Sequence, residues 1–130
     1  IGDAYLCVSG LPDIKSHSAT KVVSAAMEIL EAIKTFRENT IYDTFFDIRI
    51  GIHTGPLVAG VVGDKKFAFD IWGDTVNTAS RMEQNSDPNK INISQSTYEL
   101  VKDSYKCIYR GKRAAKNKGM IEMYFVESPL

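Results

Sequence analysis

The sequence has 130 residues, enough for one domain with a core of its own and too few for two ordinary ones. Sixteen Lys and Arg balance sixteen Asp and Glu, so no overall field draws the chain to nucleic acid or to a membrane, and a polyanion would be bound locally. The only cysteines are Cys7 and Cys107, which fits a reducing, cytoplasmic setting, and no apolar run approaches the roughly 20 residues of a membrane-crossing helix.

The chain opens Ile1-Gly2-Asp3 without a methionine, and residues 4–8 read as a short buried strand, so the sequence is expected to be a piece of a longer protein. Asp3 then sits at a strand mouth. From about Ser18, a plausible N-cap, to Arg37 the apolar residues Val22, Ala26, Ile29, Ile33 and Phe36 predict a core-facing helix, with Val23, Met27 and Leu30 widening the stripe. Phe46, Ile48, Ile50 and Ile52 alternate with Asp47, Arg49 and Gly51 and predict a strand, with His53 at its end as a structural hydrogen-bonder. Residues 57–63 predict a central strand or a hairpin arm. Gly55 and Gly60 have the first spacing of a phosphate loop, but Val61 stands where its lysine belongs, so close backbone packing is the better account.

Phe69 through Met82 is the densest polar run, read as a strand that stops at Gly73 and restarts as a helix capped by Asp74. Asn77 and Arg81, four apart, share one helix face, while Val76 and Ala79 turn to the core. Asp70 offers an acceptor for an amino group, Asn77 an amide for a ribose or ring oxygen, and Arg81 a guanidinium for a phosphate. A purely structural account also stands, with Asp70 paired to Lys65 or Lys66 and Arg81 to Glu83. Beyond it come a strand at Ile91–Ile93, a brief helix capped by Ser94 or Ser96, and strands at 105–109 and 120–126 joined by a basic linker, Arg110 to Gly119. A solvated loop is the alternative reading of that linker. The interleaving of elements points to an α+β or α/β sandwich.

Three motifs in order, Ile1-Gly-Asp-Ala-Tyr-Leu-Cys-Val-Ser-Gly-Leu-Pro, Gly51-Ile-His-Thr-Gly-Pro and Asp70-Ile-Trp-Gly-Asp-Thr-Val-Asn-Thr-Ala-Ser-Arg-Met, resemble the class III adenylyl/guanylyl cyclase catalytic domain. The resemblance implies an α+β ferredoxin-like sandwich, its helices packed on a mostly antiparallel sheet. It implies a lyase converting a nucleoside triphosphate to a 3′,5′-cyclic monophosphate and pyrophosphate, with two Mg2+ or Mn2+ ions per site in the complete domain. Asp3 resembles a metal-holding aspartate and Asp70 the acceptor for the adenine amino group, where guanylyl cyclases usually carry a cysteine or other small residue. Asn77 resembles the ribose-orienting residue and Arg81 the group that meets charge developing on the α-phosphate. Lys116, or Lys118 if the loop alignment slips by two, resembles the triphosphate lysine.

The expectation is therefore a partial cyclase catalytic domain over residues 1–130, adenylyl in type, lacking the domain's first strand and helices, one metal aspartate and the base-selecting lysine. The fragment alone is expected to be inactive. In the complete protein a homodimer is expected to build each site, with a sensor fused to the catalytic domain. The alternatives are a guanylyl cyclase or a silent cyclase-like module for dimerisation or nucleotide sensing. An RNA-binding ferredoxin-like domain is disfavoured because the strands lack interleaved surface aromatics.

Overall fold

The computed structural model describes residues 4–10, 18–40, 47–56, 58–62 and 68–130, and for 58–62 and 68–72 the description is of backbone alone. In chain order the elements are α1 (Ser18–Asn39), β1 (Ile50–Ile52), β2 (Val58–Val62), β3 (Ala68–Trp72), α2 (Asp74–Gln84), β4 (Ile91–Ser94), α3 (Gln95–Val101), β5 (Tyr105–Ala115) and β6 (Gly119–Pro129). Four strands form one sheet in the order β1-β4-β6-β5, and β2 and β3 form a separate hairpin. Among the described strands only β1 and β4 run parallel; β4–β6 and β5–β6 are antiparallel. The expected α+β sandwich, with helices on a mostly antiparallel sheet, is what forms.

Strand alternation decides which helix covers which face. Ile91 and Ile93 of β4 are fully buried in a cluster with Ile52, Val126, Val23 and Ala26 of α1, and Val101 of α3. Asn92, between those isoleucines, points the other way and bonds the Met82 carbonyl of α2. On that second face Met82 packs with Met123 and Ala115. The sheet therefore has α1 and α3 on one side and α2 on the other.

Several expectations are corrected. Residues 4–9 form no strand, and Tyr5 is 90% exposed; a short apolar run does not by itself make a strand, which depends on pairing with a neighbouring edge. The core-facing stripe of α1 is Ala19, Val22, Val23, Ala26, Met27 and Leu30, while Ile29 and Phe36 are exposed. The sheet below α1 selects one of two overlapping apolar stripes, which periodicity alone leaves undecided. Residues 57–63 supply a hairpin arm and not a central strand. The basic linker is largely strand: β5 runs to Ala115, and Lys116 to Lys118 alone make the turn into β6. In α2 the buried residues are Thr78 and Met82, not Val76 and Ala79.

Candidate active site

The site is built on the start of α2. Gly73 ends the β2–β3 hairpin at φ 118°, ψ −176°, a conformation open to glycine and hardly to other residues, and this permits the abrupt change from strand to helix. Gly73, not Asp74, is the N-cap, and no side chain caps the helix. The Asn77 amide closes the first turn on the Gly73 carbonyl at 3.1 Å. Asp74 becomes the first helical residue, where a carboxylate suits the positive end of the helix dipole.

Asp74, Asn77 and Arg81 are spaced three and four apart and lie along one face of α2. The β5–β6 turn is strapped to that face at both ends. Lys118 makes an ion pair with Asp74, and Arg81 Nε donates to the Lys116 carbonyl at 3.1 Å. The straps lie seven residues apart, about 10 Å along the helix, with Asn77 exposed between them. Arg81 Nη1 also donates to Gln84 Oε1 at 2.7 Å. Glu83, Arg81's partner in the purely structural account, instead pairs with Arg49 at 2.9 Å.

The four residues Asn77, Arg81, Lys116 and Lys118 are thus brought together. Lys116 reaches the group through its carbonyl and Lys118 through its ammonium. The Lys118 side chain is 18% exposed and its partner Asp74 83%. A pair with one member so exposed is held weakly and can yield to a stronger anion. A guanidinium, an ammonium and an amide on one ridge are donors suited to a chain of phosphates. Asp70 sits in β3 opposite Gly60 of β2, three residues before the N-cap; its backbone is described and its side chain is not. Asp3 lies outside the described residues, as do Lys65 and Lys66. Among the described residues, no group of three or more His, Cys, Asp or Glu could hold a metal.

Behind the start of α2 lies a hydroxyl network anchored on His53. Its Nδ1 is 2.7 Å from Ser94 Oγ and 3.3 Å from Ser96 Oγ. Ser96 donates to the Thr54 carbonyl at 2.9 Å, and the Thr54 and Thr97 hydroxyls are 2.8 Å apart. Ser94 is the N-cap of α3 by position but makes no capping bond with its side chain. The turn after His53 also packs on α2, where the Thr75 hydroxyl donates to the Pro56 carbonyl.

Burial, and secondarily the charge of Lys118, hold the His53 ring below its ordinary pKa. Between that lowered value and about 6.5 the unfolded chain binds the extra proton and the folded chain does not, so stability rises with pH across that window. His53 should therefore cost no stability above pH 7, and stability should fall as the pH drops through about 6.5 and level off below the folded pKa. Denaturant midpoints at pH 7.5 and 5.5 check this: the drop should be smaller in His53→Gln than in the parent protein.

The sequence reading missed Asp74 as the partner of Lys118, and nothing local signals it, because the two are joined only by folding the β5–β6 turn over α2. Local sequence marks the serines near His53, Ser94 and Ser96, only as helix caps.

A family model of the adenylate and guanylate cyclase catalytic domain matches residues 1–128. The chain is similar to Guanylate cyclase 32E of Drosophila melanogaster, 43% identical over 129 residues, covering 97% of this chain and 11% of that protein. The guanylate cyclase domain of RhGC from Catenaria anguillulae, solved with GTP, superposes with a TM-score of 0.86 at 38% identity, over 94% of this chain and 66% of that one. The adenylyl cyclase CyaB from P. aeruginosa superposes with a TM-score of 0.85 at 30% identity, over 92% and 65%. Guanylate cyclase names prevail among the curated relatives, and this chain spans a small part of their length. On a match that runs through all three motifs and the strapped face of α2, the chain belongs to the adenylate and guanylate cyclase catalytic-domain family.

Proposed function

We propose that this segment contributes one half of a nucleotide cyclase active site, in which Asn77 orients the ribose, Arg81 meets charge developing on the α-phosphate, and Lys116 or Lys118 holds the remaining phosphates. The observation that carries the reading is the convergence of Arg81 and the β5–β6 turn on the Asn77 face of α2. Attack of the ribose 3′-hydroxyl on the α-phosphate expels pyrophosphate, and fixed positive donors aimed at the reacting phosphate lower the barrier. A triphosphate would displace Asp74 from Lys118. Asp3 is the carboxylate that would hold divalent ions, whose charge would supply Lewis-acid chemistry to the 3′-hydroxyl and the phosphates. Two copies of the chain build each site, one giving Asp3 and the other Asp70, Asn77, Arg81 and Lys116.

Two readings of the base follow from two observations. A carboxylate at position 70 accepts a hydrogen bond from the 6-amino group of adenine and repels the 6-carbonyl of guanine, which favours ATP. The relatives weigh the other way, since most carry guanylate cyclase names and one was solved with GTP. An adenylyl cyclase shares the fold equally well, so the backbone does not discriminate, and we take the side chain as the guide.

Assays of the full-length protein with ATP and with GTP, each with magnesium or manganese, test both. No cyclic product from either would overturn the function, and a preference for GTP would replace the adenylyl reading by the guanylyl one. A charge-assisted hydrogen bond is worth about 1.5–3 kcal/mol, so Asp70→Cys should shift the ATP-to-GTP ratio of kcat/KM toward GTP by roughly 10- to 100-fold. An unchanged ratio would remove Asp70 from base selection.

A further inference from the structure

The last turn of α2 is gripped by a second set of polar groups that the proposed chemistry does not use. Asn92, fully buried at the middle of β4, donates from Nδ2 to the Met82 carbonyl at 2.9 Å. Its Oδ1 accepts from Arg110 Nη1 at 2.8 Å, and the same nitrogen donates to the Asn85 carbonyl at 2.8 Å. Asn85 in turn returns two bonds to the Arg81 carbonyl, from its backbone amide at 3.0 Å and from Nδ2 at 2.9 Å. The final carbonyls of a helix have no partner within it and must find one elsewhere. Here those of Arg81 and Met82 find theirs through a network that begins on the sheet.

Arg110 reaches this position from a β-bulge. The pairing of β5 with β6 passes from Tyr109↔Tyr124 to Gly111↔Met123 and skips Arg110, while Gly111 adopts φ 81°. Bulges of this kind re-aim one side chain. The guanidinium lies 3.9 Å above the centre of the Phe125 ring, on the face of the sheet that α2 covers. It is held by one aromatic face and two carbonyl oxygens, a fit that a lysine ammonium does not reproduce.

We propose that Asn92 and Arg110 are positioning residues for the cyclase reaction: through Asn85 and Met82 they fix the last turn of α2 so that the Arg81 guanidinium keeps its aim. The proposal rests on the reading above that Arg81 acts in the transition state. Neither residue touches substrate, so their effect must pass through Arg81. Small displacements of a group that acts on the reacting atoms cost rate more than they cost binding.

The test is a double-mutant cycle on the full-length protein, with cyclic-nucleotide formation and melting temperature both measured. Arg110→Met should lower kcat by about tenfold while leaving KM within about twofold, and in an Arg81→Ala background it should lower kcat further by less than about twofold. Should Arg110→Met fail to fold, Arg110→Lys, which keeps the charge, supplies the same comparison with a smaller loss. Equal losses in both backgrounds would overturn the positioning role while leaving Arg81 its own. Full turnover in Arg81→Ala alone would overturn the role of Arg81 and the proposal with it.

Discussion

Replacing Arg81 by alanine is expected to lower kcat for cyclic-nucleotide formation by about 10²- to 10³-fold, the usual loss when one fixed donor to a transition-state oxygen is removed. KM should stay within about threefold, because an interaction formed only in the transition state leaves ground-state binding in place. The fold should survive the change. The bonds lost are to the Lys116 carbonyl and to Gln84, both at an exposed surface, and together they amount to about 1–2 kcal/mol at most. Arg81→Lys should restore a minor part of the rate, since an ammonium supplies the charge without the planar fork. Single-turnover rates with the full-length protein, set beside its melting temperature, separate chemistry from stability. A variant with a normal melting temperature and a normal kcat would take Arg81 out of the reaction.

How far the sequence discloses this arrangement depends on how local the cause is. The break at Gly73 is legible because one residue's backbone freedom decides it, and the pairing of Asn77 with Arg81 is legible because a helix fixes which neighbours share a face. The basic run after Arg110 is another matter. Its charges suggest a solvated linker, yet Gly111 and the antiparallel register of β6 carry the strand through to Ala115. Pairing with a strand distant in sequence supplies what local propensity lacks. The ion pair of Lys118 with Asp74 and the grip of Arg110 on Asn85 depend on contacts of the same kind. So does the choice between the two apolar stripes of α1, which rests on where the sheet lies.

The largest stability effect is expected from Gly51, a position that strand alternation marks only as a gap in the polar face of β1. It lies where α2 presses directly on the sheet: a Cβ built there would come within 2.5 Å of the Met82 carbonyl carbon and 2.6 Å of Glu83 Cα, and closer still to the Glu83 amide. These are backbone atoms, so no rotamer change relieves the clash. Gly51→Ala should therefore destabilise the domain by about 3 kcal/mol, the upper end for overpacking, and lower the melting temperature by roughly 10 °C. Gly55→Ala provides the contrast, because its Cβ would meet the Thr75 hydroxyl at 2.8 Å, a side-chain atom whose displacement costs the bond to the Pro56 carbonyl but moves no backbone. A loss of about 1 kcal/mol or less is expected there. Because Asn77 and Arg81 ride on α2, kcat should fall together with the melting temperature. A Gly51→Ala protein with normal stability and normal turnover would mean that α2 does not lie against β1 as described, and the strapped face that carries Asn77 and Arg81 would lose its foundation.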